Sequence, residues 1–492
     1  MSPMSPVMLA LLGVAHAASF EIGPADDLSV VESLSPGDEL VLKDGTYTLS
    51  STLGISVLGT EAEPVVVRAK NKGMAVLQAG PGDDGIYPGT LVRIGESSFV
   101  TLRGVVIVGD DSWATDAGGY TGLRVENSTD ITLDKLDVGQ VGRAGVAISG
   151  DNARVTMNRT QVHDTFNGPG VSVGCWDGSC WTSELVLYNN WVHDIGGDDG
   201  IGLRLLPGTQ GGRVTHNVVY ATGSIGAYLA AVENGDGNVF EGNAIWSAAA
   251  AGVLIEGAAQ VRNNIVFNVE GRGIWTRDPG RETDNFGDLV ISHNTVADTS
   301  SWAVELDGWE SASGRLVFAN NALCNPIGRG VEIELSGSDT ALPQAPGYVT
   351  SNVVCGQVSG MDSFQGEVVP GGGFEDFTDA AGWNFYPVDG AVVQDAADPA
   401  GDAFVPKVDF NGVERPGNAP DAGAYERDAT DNPGWAVREG FKEFDLVYQN
   451  PQEFVGGCCD DKNNASSKGA QAALVLPLLG FGALLRRRRR RG

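Results

Sequence analysis

NNWVHDIGGDDGIGLRL, residues 189–205, holds the two landmarks that decide the fold. The first is an asparagine, Asn190, set immediately before a short apolar run. The second is a glycine step, Gly200-Ile201, leading into the alternating stretch GLRLL. The asparagine recurs in MNRTQVHD (Asn158), HNVVYA (Asn217), GNAIWS (Asn243), NNIVFN (Asn264), HNTVAD (Asn294) and NNALCN (Asn321), at spacings of 21 to 32 residues. A small residue before an apolar one follows each time: Gly170, Gly200, Gly226, Gly252, Gly273, Ala303 and Gly330, with Gly145 and Gly122 upstream. Two landmarks moving together at a short, irregular period mean stacked supersecondary units.

The units are strands. GVAIS, GLRLL, GVLIE, GIWTR, AVELD and GVEIE alternate with period two, which points Val146/Ile148, Leu203/Leu205, Val253/Ile255, Val304/Leu306 and Val331/Ile333 inward. No helical period separates them, so a βαβ fold is excluded. Propeller blades need roughly 40–50 residues, longer than this repeat. The expected fold is all-β: a single-stranded right-handed parallel β-helix, each turn about 4.8 Å above the last. Its inward asparagines are expected to stack and hydrogen-bond along the axis. A short helix near Asp26–Leu34 caps the N-terminal end and an irregular β cap closes the other. The expected division is a signal peptide at 1–17, the β-helix at 18–357, a C-terminal cap at 358–457 and a sorting tail at 458–492.

The chain has 492 residues, 69 of them glycine, and a formal net charge of −31. A tail rich in arginine makes the body more negative still. Such a surface repels nucleic acid and anionic membrane and attracts divalent cations. Both ends carry export signals. Val7–Val14 is a short apolar run followed by the small-residue site Ala15-His16-Ala17. At the other end Cys458 and Cys459 precede an apolar run, 470–485, and six arginines, Arg486–Arg491. This tail resembles the MYXO-CTERM sorting tails of myxobacterial surface proteins. The resemblance implies a sorting protease that cuts near Cys458 or Cys459, and membrane contact only through the tail. The protein is then expected at the cell surface or outer membrane, or secreted after processing. The other cysteines suit an oxidising exterior. Cys175 and Cys180 are expected to form a disulfide that closes a small loop, and Cys324 and Cys355, 31 residues apart, one that joins neighbouring turns.

LSPGDELVLKDGTYTLSS (34–51) resembles the opening coils of right-handed parallel β-helix proteins, among them the chondroitinase-B-like and alginate lyases. DAADPAGDAFVPKVDFNGVERPGNAPDAGAYE (395–426) resembles the terminus of secreted β-helix surface proteins, with Asn411 in place of their usual Asp. The resemblance implies the fold, export and a polysaccharide partner. It does not bring the lyase machinery, because no lysine lies between Lys135 and Lys407. Asp198-Asp199 is similar to a polygalacturonase pair, but the Gly-His-Gly and Arg-Ile-Lys that accompany it there are missing. The pair reads as a solvated turn, with calcium the one cofactor to consider.

The outward residues of the strands after the glycines carry more chemistry. Arg204, Tyr228, Trp275 and Glu256 are the expected substrate-binding residues. Glu305, Asp307, Glu332, Glu334 and Arg277 are the candidate catalytic ones, since stacked carboxylates can sit at the spacing that glycosidases use. The reading favours a surface protein that binds polysaccharide. The alternatives are a lyase or glycoside hydrolase working on this face, and a structural or adhesive rod.

Overall fold

The computed structural model describes residues 17–442, except 83–86, 111–113, 115–118, 231–236, 278–286, 309–313, 335–346, 360–367, 371 and 400–404; the side chains of 326–329, 332–334, 347, 368 and 370 are also left undescribed. The chain divides into Met1–Tyr448 and Gln449–Gly492, and the second part lies outside these residues. So do the apolar leader, Cys458, Cys459 and the arginine cluster. No helix among the described residues is long and apolar enough to cross a membrane.

The body is a parallel β-solenoid. Each turn lays down three strands, giving three faces. Face A is a sheet running from Ser19–Ile22 through Asn152–Asn158 and Leu289–Ser292 to Gly347–Thr350. Face B follows it in each turn and includes Gln161–Thr165, Trp191–Ile195, Val218–Thr222, Ala244–Ala248, Ile265–Val269 and Thr295–Thr299. Face C completes the turn with Thr121–Glu126, Val146–Ser149, Val171–Val173, Leu203–Leu205, Ile225–Ala230, Ala251–Glu256, Arg272–Thr276 and Trp302–Asp307. Every pairing between coils is parallel and nearly all are in register. The inward valines, leucines and isoleucines are fully buried in one continuous core.

The bend between faces A and B is held by a polar ladder. The backbone N–H of each of Asn190, Asn217, Asn243, Asn264, Asn294 and Asn321 donates to the Oδ1 of the asparagine one coil on, ending at Asn352, at 2.8–3.1 Å. Each Nδ2 donates back to a face A carbonyl, as Asn243 does to Val214 at 2.9 Å. These side chains are buried, and the network leaves none of them without a partner. Asn158 is not a rung: Thr160 is, taking the Asn190 Oδ1 on its N–H at 3.0 Å. The residue before each rung turns through a left-handed conformation, with φ of +52° at Asn189, +60° at His216 and +52° at His293. Asn and His tolerate this region better than branched residues do. His216 and His293 are therefore turn residues.

The glycine landmark is steric. A Cβ on Gly252 would lie 2.3 Å from Cγ1 of Val266 and 2.6 Å from the Gly273 carbonyl. Gly145, Gly170, Gly226 and Gly273 meet a β-branched residue of the next coil in the same way. The member in coil 189–205 is Gly202, not Gly200, because Gly202 pairs alongside Gly170 and Gly226. The coil has room for the extra residues as a longer turn. Where the column holds Ala303, the residue of the next coil is Leu323, which branches one atom further out.

The N-terminal edge is covered by a 3-10 turn, Leu28–Ser33, whose first N–H groups are capped by Asp27. The C-terminal segment from Gly372 does not simply stop the solenoid. It lies along face B as a strap, burying Phe377, Phe385, Tyr386, Phe410, Tyr425 and Trp435 against Tyr220, Trp246 and Phe267. Arg415, fully buried, ties the strap together through Glu426 (3.1 Å) and the Asp421 and Gly423 carbonyls, and reaches Asn263 of the body at 3.0 Å. Lys442 Nζ donates to the Gly242 carbonyl at 2.9 Å and sits 3.3 Å from the centre of the Phe410 ring. Burial pushes the Glu426 carboxyl up to about 7.

Asn243→Ala should cost roughly 2–4 kcal/mol in chemical denaturation, since it strands the Asn217 N–H and the Val214 carbonyl. Gly252→Ala should cost about 1–3 kcal/mol by overpacking. Adding Val266→Leu should recover part of that loss, reproducing the Ala303–Leu323 arrangement. Glu426 favours the folded state below its ordinary value of 4.5, and that advantage disappears as pH rises through about 7. Glu426→Gln, which keeps an acceptor for Arg415, should therefore flatten the loss of stability between about pH 5 and about pH 8 by roughly 2–3 kcal/mol in denaturant titrations at each pH.

Candidate functional site

Face C brings its outward residues into a single file. Pairing sets Arg93, Arg124, Ala147, Ser172, Arg204, Tyr228, Leu254, Trp275, Glu305 and Glu332 side by side on successive coils. Glu256 and Arg277 stand in the next file, as do Asp307 and Glu334, which pair with each other. The expected residues are thus brought together. Of Glu332 and Glu334 only the backbone is described.

Their environment differs from the open acidic groove that the sequence suggested. Arg204, Tyr228, Glu256 and Glu305 are buried, and Tyr228 and Leu254 belong to a small apolar cluster with Ile201, Leu206 and Ala230. The carboxylates are neutralised in place. Glu256 accepts from Arg277 Nε at 2.6 Å and from the Tyr228 hydroxyl. Glu305 accepts from Arg272 Nε at 2.5 Å. Charge repulsion between stacked carboxylates is relieved by arginines from the same face, the partnering that buried charges require. Trp275 lies between these pairs, its ring centre 4.2 Å from the Arg272 guanidinium and 4.9 Å from that of Arg277. Two cations already occupy it, so it is not the open sugar platform expected.

Asp199 is held by Arg204 Nη1 at 2.6 Å, and Arg204 Nε donates to Ser172 Oγ at 3.1 Å. Asp198 and Asp199 lie exposed on a turn, as the sequence suggested, and Asp199 is in addition an ion-pair partner of the face. The described residues contain no group of three or more His, Cys, Asp or Glu that could hold a metal.

The open aromatic residue is one the sequence reading passed over. Cys175 and Cys180 form a disulfide that closes the loop CWDGSC. Inside it Asp177 accepts from Ser179 N at 3.0 Å, tightening the turn. Trp176, on this loop, is 53% exposed; its ring centre is 5.3 Å from the Arg204 guanidinium and 5.7 Å from the Tyr228 ring. Trp181 follows the loop and is 46% exposed. The signal was present in GCWDGSCW, where two tryptophans bracket the cysteine pair. Arg124 was also legible, because GLRVE repeats the Gly-Leu-Arg of GLRLL. Its guanidinium is half-buried and has no hydrogen bond or ion pair among the described residues, and neither has the exposed Arg143 on the turn before Val146.

The described histidines are not free bases. His163 and His193 stack in register with Tyr220, Trp246 and Phe267. His163 is bonded to Asp137 at 2.8 Å and Asp164 at 2.7 Å. Burial disfavours its charged form, but the two carboxylates outweigh burial and raise its pKa. His193 is bonded to Asp194 at 2.7 Å and Gln161 at 3.0 Å; burial, aided by the His163 charge, lowers its pKa. His293 is fully buried and His216 partly so, and burial lowers the pKa of both. Cys324 and Cys355 do meet on adjacent coils, as buried thiols with no bond between them.

Residues 90–260 match the family model described as "Right handed beta helix region". No curated protein sequence matches the chain. Among solved structures, the pectate lyase Pel9A is 16% identical, with a TM-score of 0.50 over 85% of this chain and 98% of its own. The PL6 family alginate lyase AlyGC is 13% identical, with a TM-score of 0.48 over 71% of this chain and 53% of its own. The A-module of the mannuronan C-5 epimerase AlgE4 of Azotobacter vinelandii is 15% identical, with a TM-score of 0.47 over 68% and 88%. Matched pattern, parallel pairing and the Pel9A likeness agree on one architecture: the chain folds as a right-handed parallel β-helix.

Proposed function

We propose that this protein is an exported, surface-displayed β-helix that binds polysaccharide on face C and does not cleave it. The observation that carries the reading is the Trp176 platform beside Arg204 and Tyr228, with Arg124, which has no ion pair among the described residues, three coils away. Sugar sites combine an aromatic surface with a few placed polar groups. Between Arg124 and Arg204 the file holds only Ala147 and Ser172, a shallow floor about 14 Å long at the spacing of parallel strands. On a chain of net charge −31, a free Arg124 and Arg143 beside this floor favour an anionic glycan over a neutral one.

Binding is favoured over turnover because the described acids and bases of the face are already engaged. Glu256 and Glu305 are tied to arginines, the histidines are bonded or fully buried, and no lysine is available in the central coils. The Pel9A likeness supports the fold on which such binding occurs. Export rests on the apolar leader and the Cys458-Cys459, apolar and arginine tail, which a sorting protease would process.

Isothermal titration of the full chain against pectate, alginate and a neutral glucan should show binding to an anionic polymer. Trp176→Ala should weaken it about tenfold, equivalent to the loss of about 1.4 kcal/mol. Arg124→Gln should weaken anionic binding selectively and reduce its dependence on salt. Trp275→Ala should change it little. New unsaturated uronate absorbance or new reducing ends would replace this reading by a lyase or a hydrolase respectively, and failure to bind any glycan would leave the structural rod.

A further inference from the structure

Face B ends in a feature that the glycan reading does not use. Cys324 and Cys355 are directly paired residues of adjacent strands, Ala322–Glu334 and Asn352–Ser359. Both side chains point outward from the solenoid in the file of Phe267 and Ala297, beneath Phe377 and Phe385 of the strap. Their Sγ atoms are 2.7 Å apart. Adjacent parallel strands lie about 4.8 Å apart, inside the roughly 4.4–6.8 Å Cα range that a disulfide spans. The backbone therefore already has the separation the bond needs. The same chain carries one disulfide, Cys175–Cys180, so its cysteines suit an oxidising compartment.

We propose that Cys324 and Cys355 are a redox-active pair whose disulfide staples two adjacent coils near the C-terminal end of face B together beneath the strap. The place is where such a staple has most to hold. Just beyond Cys324 the pairing loses its regular register, with shifts on either side of Arg329. Beyond the Cys355 strand only the three-residue strand Val368–Pro370 stacks, and its pairing stops at Val354, one residue short of Cys355; a solenoid frays from its ends. The strap rings rest directly on the two sulfurs' file, so fixing the file also fixes the surface on which the strap sits.

The oxidant is a small-molecule disulfide. The Cys355 thiolate attacks one of its sulfurs, breaking that S–S bond and expelling one thiolate. The Cys324 thiolate then attacks the Cys355 sulfur of the mixed disulfide, forming the protein S–S bond and expelling the second thiolate. Both cysteine protons end on the expelled thiolates, and two electrons pass from the cysteines to the reagent. Cys355 is the first nucleophile because it is the more exposed of the two, 8% against 4% for Cys324.

The full chain, purified without reductant and treated with oxidised glutathione, is alkylated under denaturing conditions and digested. The expected product is a peptide containing Cys324 joined to one containing Cys355, lighter by two hydrogens than the reduced pair. Reduction with dithiothreitol should lower Tm by at least about 3 °C more in the wild type than in Cys324→Ala/Cys355→Ala. Alanine is accommodated in this file, since Ala297 occupies it one coil earlier. Full alkylation of both cysteines after oxidation would overturn the proposal, leaving them as small buried apolar groups. Linkage to Cys458, Cys459 or a second chain would also overturn it, and so would an equal Tm loss in the wild type and the variant.

Discussion

The constraint on which the rest depends is the obligation of every coil to start its face B strand at the same angular position as the coil below. The asparagine ladder enforces it. Each side chain accepts the N–H of the preceding coil's asparagine through Oδ1 and returns its own amide to a face A carbonyl. A slip of one residue would leave buried amides without partners and turn the inward valines to the outside, the two most expensive errors available to a strand. The ladder sets the phase, and everything aligned beyond it follows. The glycines fall opposite β-branched residues, the His163–Phe267 rings stack, and the arginines of face C reach carboxylates one or more coils away.

That phase explains what was legible in the sequence. Six of the seven asparagines and all but one of the small residues were read at their true positions, because each repeats with its local context. The exceptions are instructive. Thr160 replaces asparagine as a rung because a hydroxyl also accepts there and bonds its own strand, at the Asn158 carbonyl. Gly202 was displaced to Gly200 because the turn of that coil has extra residues, and a glycine-rich turn offers several candidates. The direction of side chains on face C was legible from period two. Their burial was not. Burial depends on what lies over the face, and period two carries no information about neighbouring loops. Nor does it show that Arg272, at the start of its strand, reaches Glu305 on the next coil.

The strap shows a second limit. Residues 395–426 were recognised as a terminal motif, yet their place along face B follows from chemistry that only the fold assembles. A file containing Tyr220, Trp246 and Phe267 would expose a contiguous apolar strip, and such strips on soluble proteins are covered or used. Here the chain covers its own strip. The motif's conserved-looking polar residues, Asp409, Arg415, Asp421 and Glu426, become the buried clasp that holds the cover closed. Burial raises the three acids towards neutrality, against the opposing pull of the backbone N–H groups they accept from and of the Arg415 charge.

Faces B and C therefore treat exposure in opposite ways, and the difference bears on function. Face B buries its aromatic rings beneath a cover made from the same chain. Face C keeps Trp176 in solvent by mounting it on a disulfide-closed loop, and among the described residues leaves Arg124, a few coils away, without an ion pair. Holding a large indole in water costs hydrophobic free energy that a mere rod has no reason to forgo. Catalysis demands something further: a group whose proton or charge can change during the reaction. Glu256 and Glu305 are buried and fixed by arginines, and freeing either would leave a buried acid without its cation. A face built of locked ion pairs beside an exposed tryptophan fits the proposed glycan-binding role, because the rigidity that would make it a good template works against proton transfer.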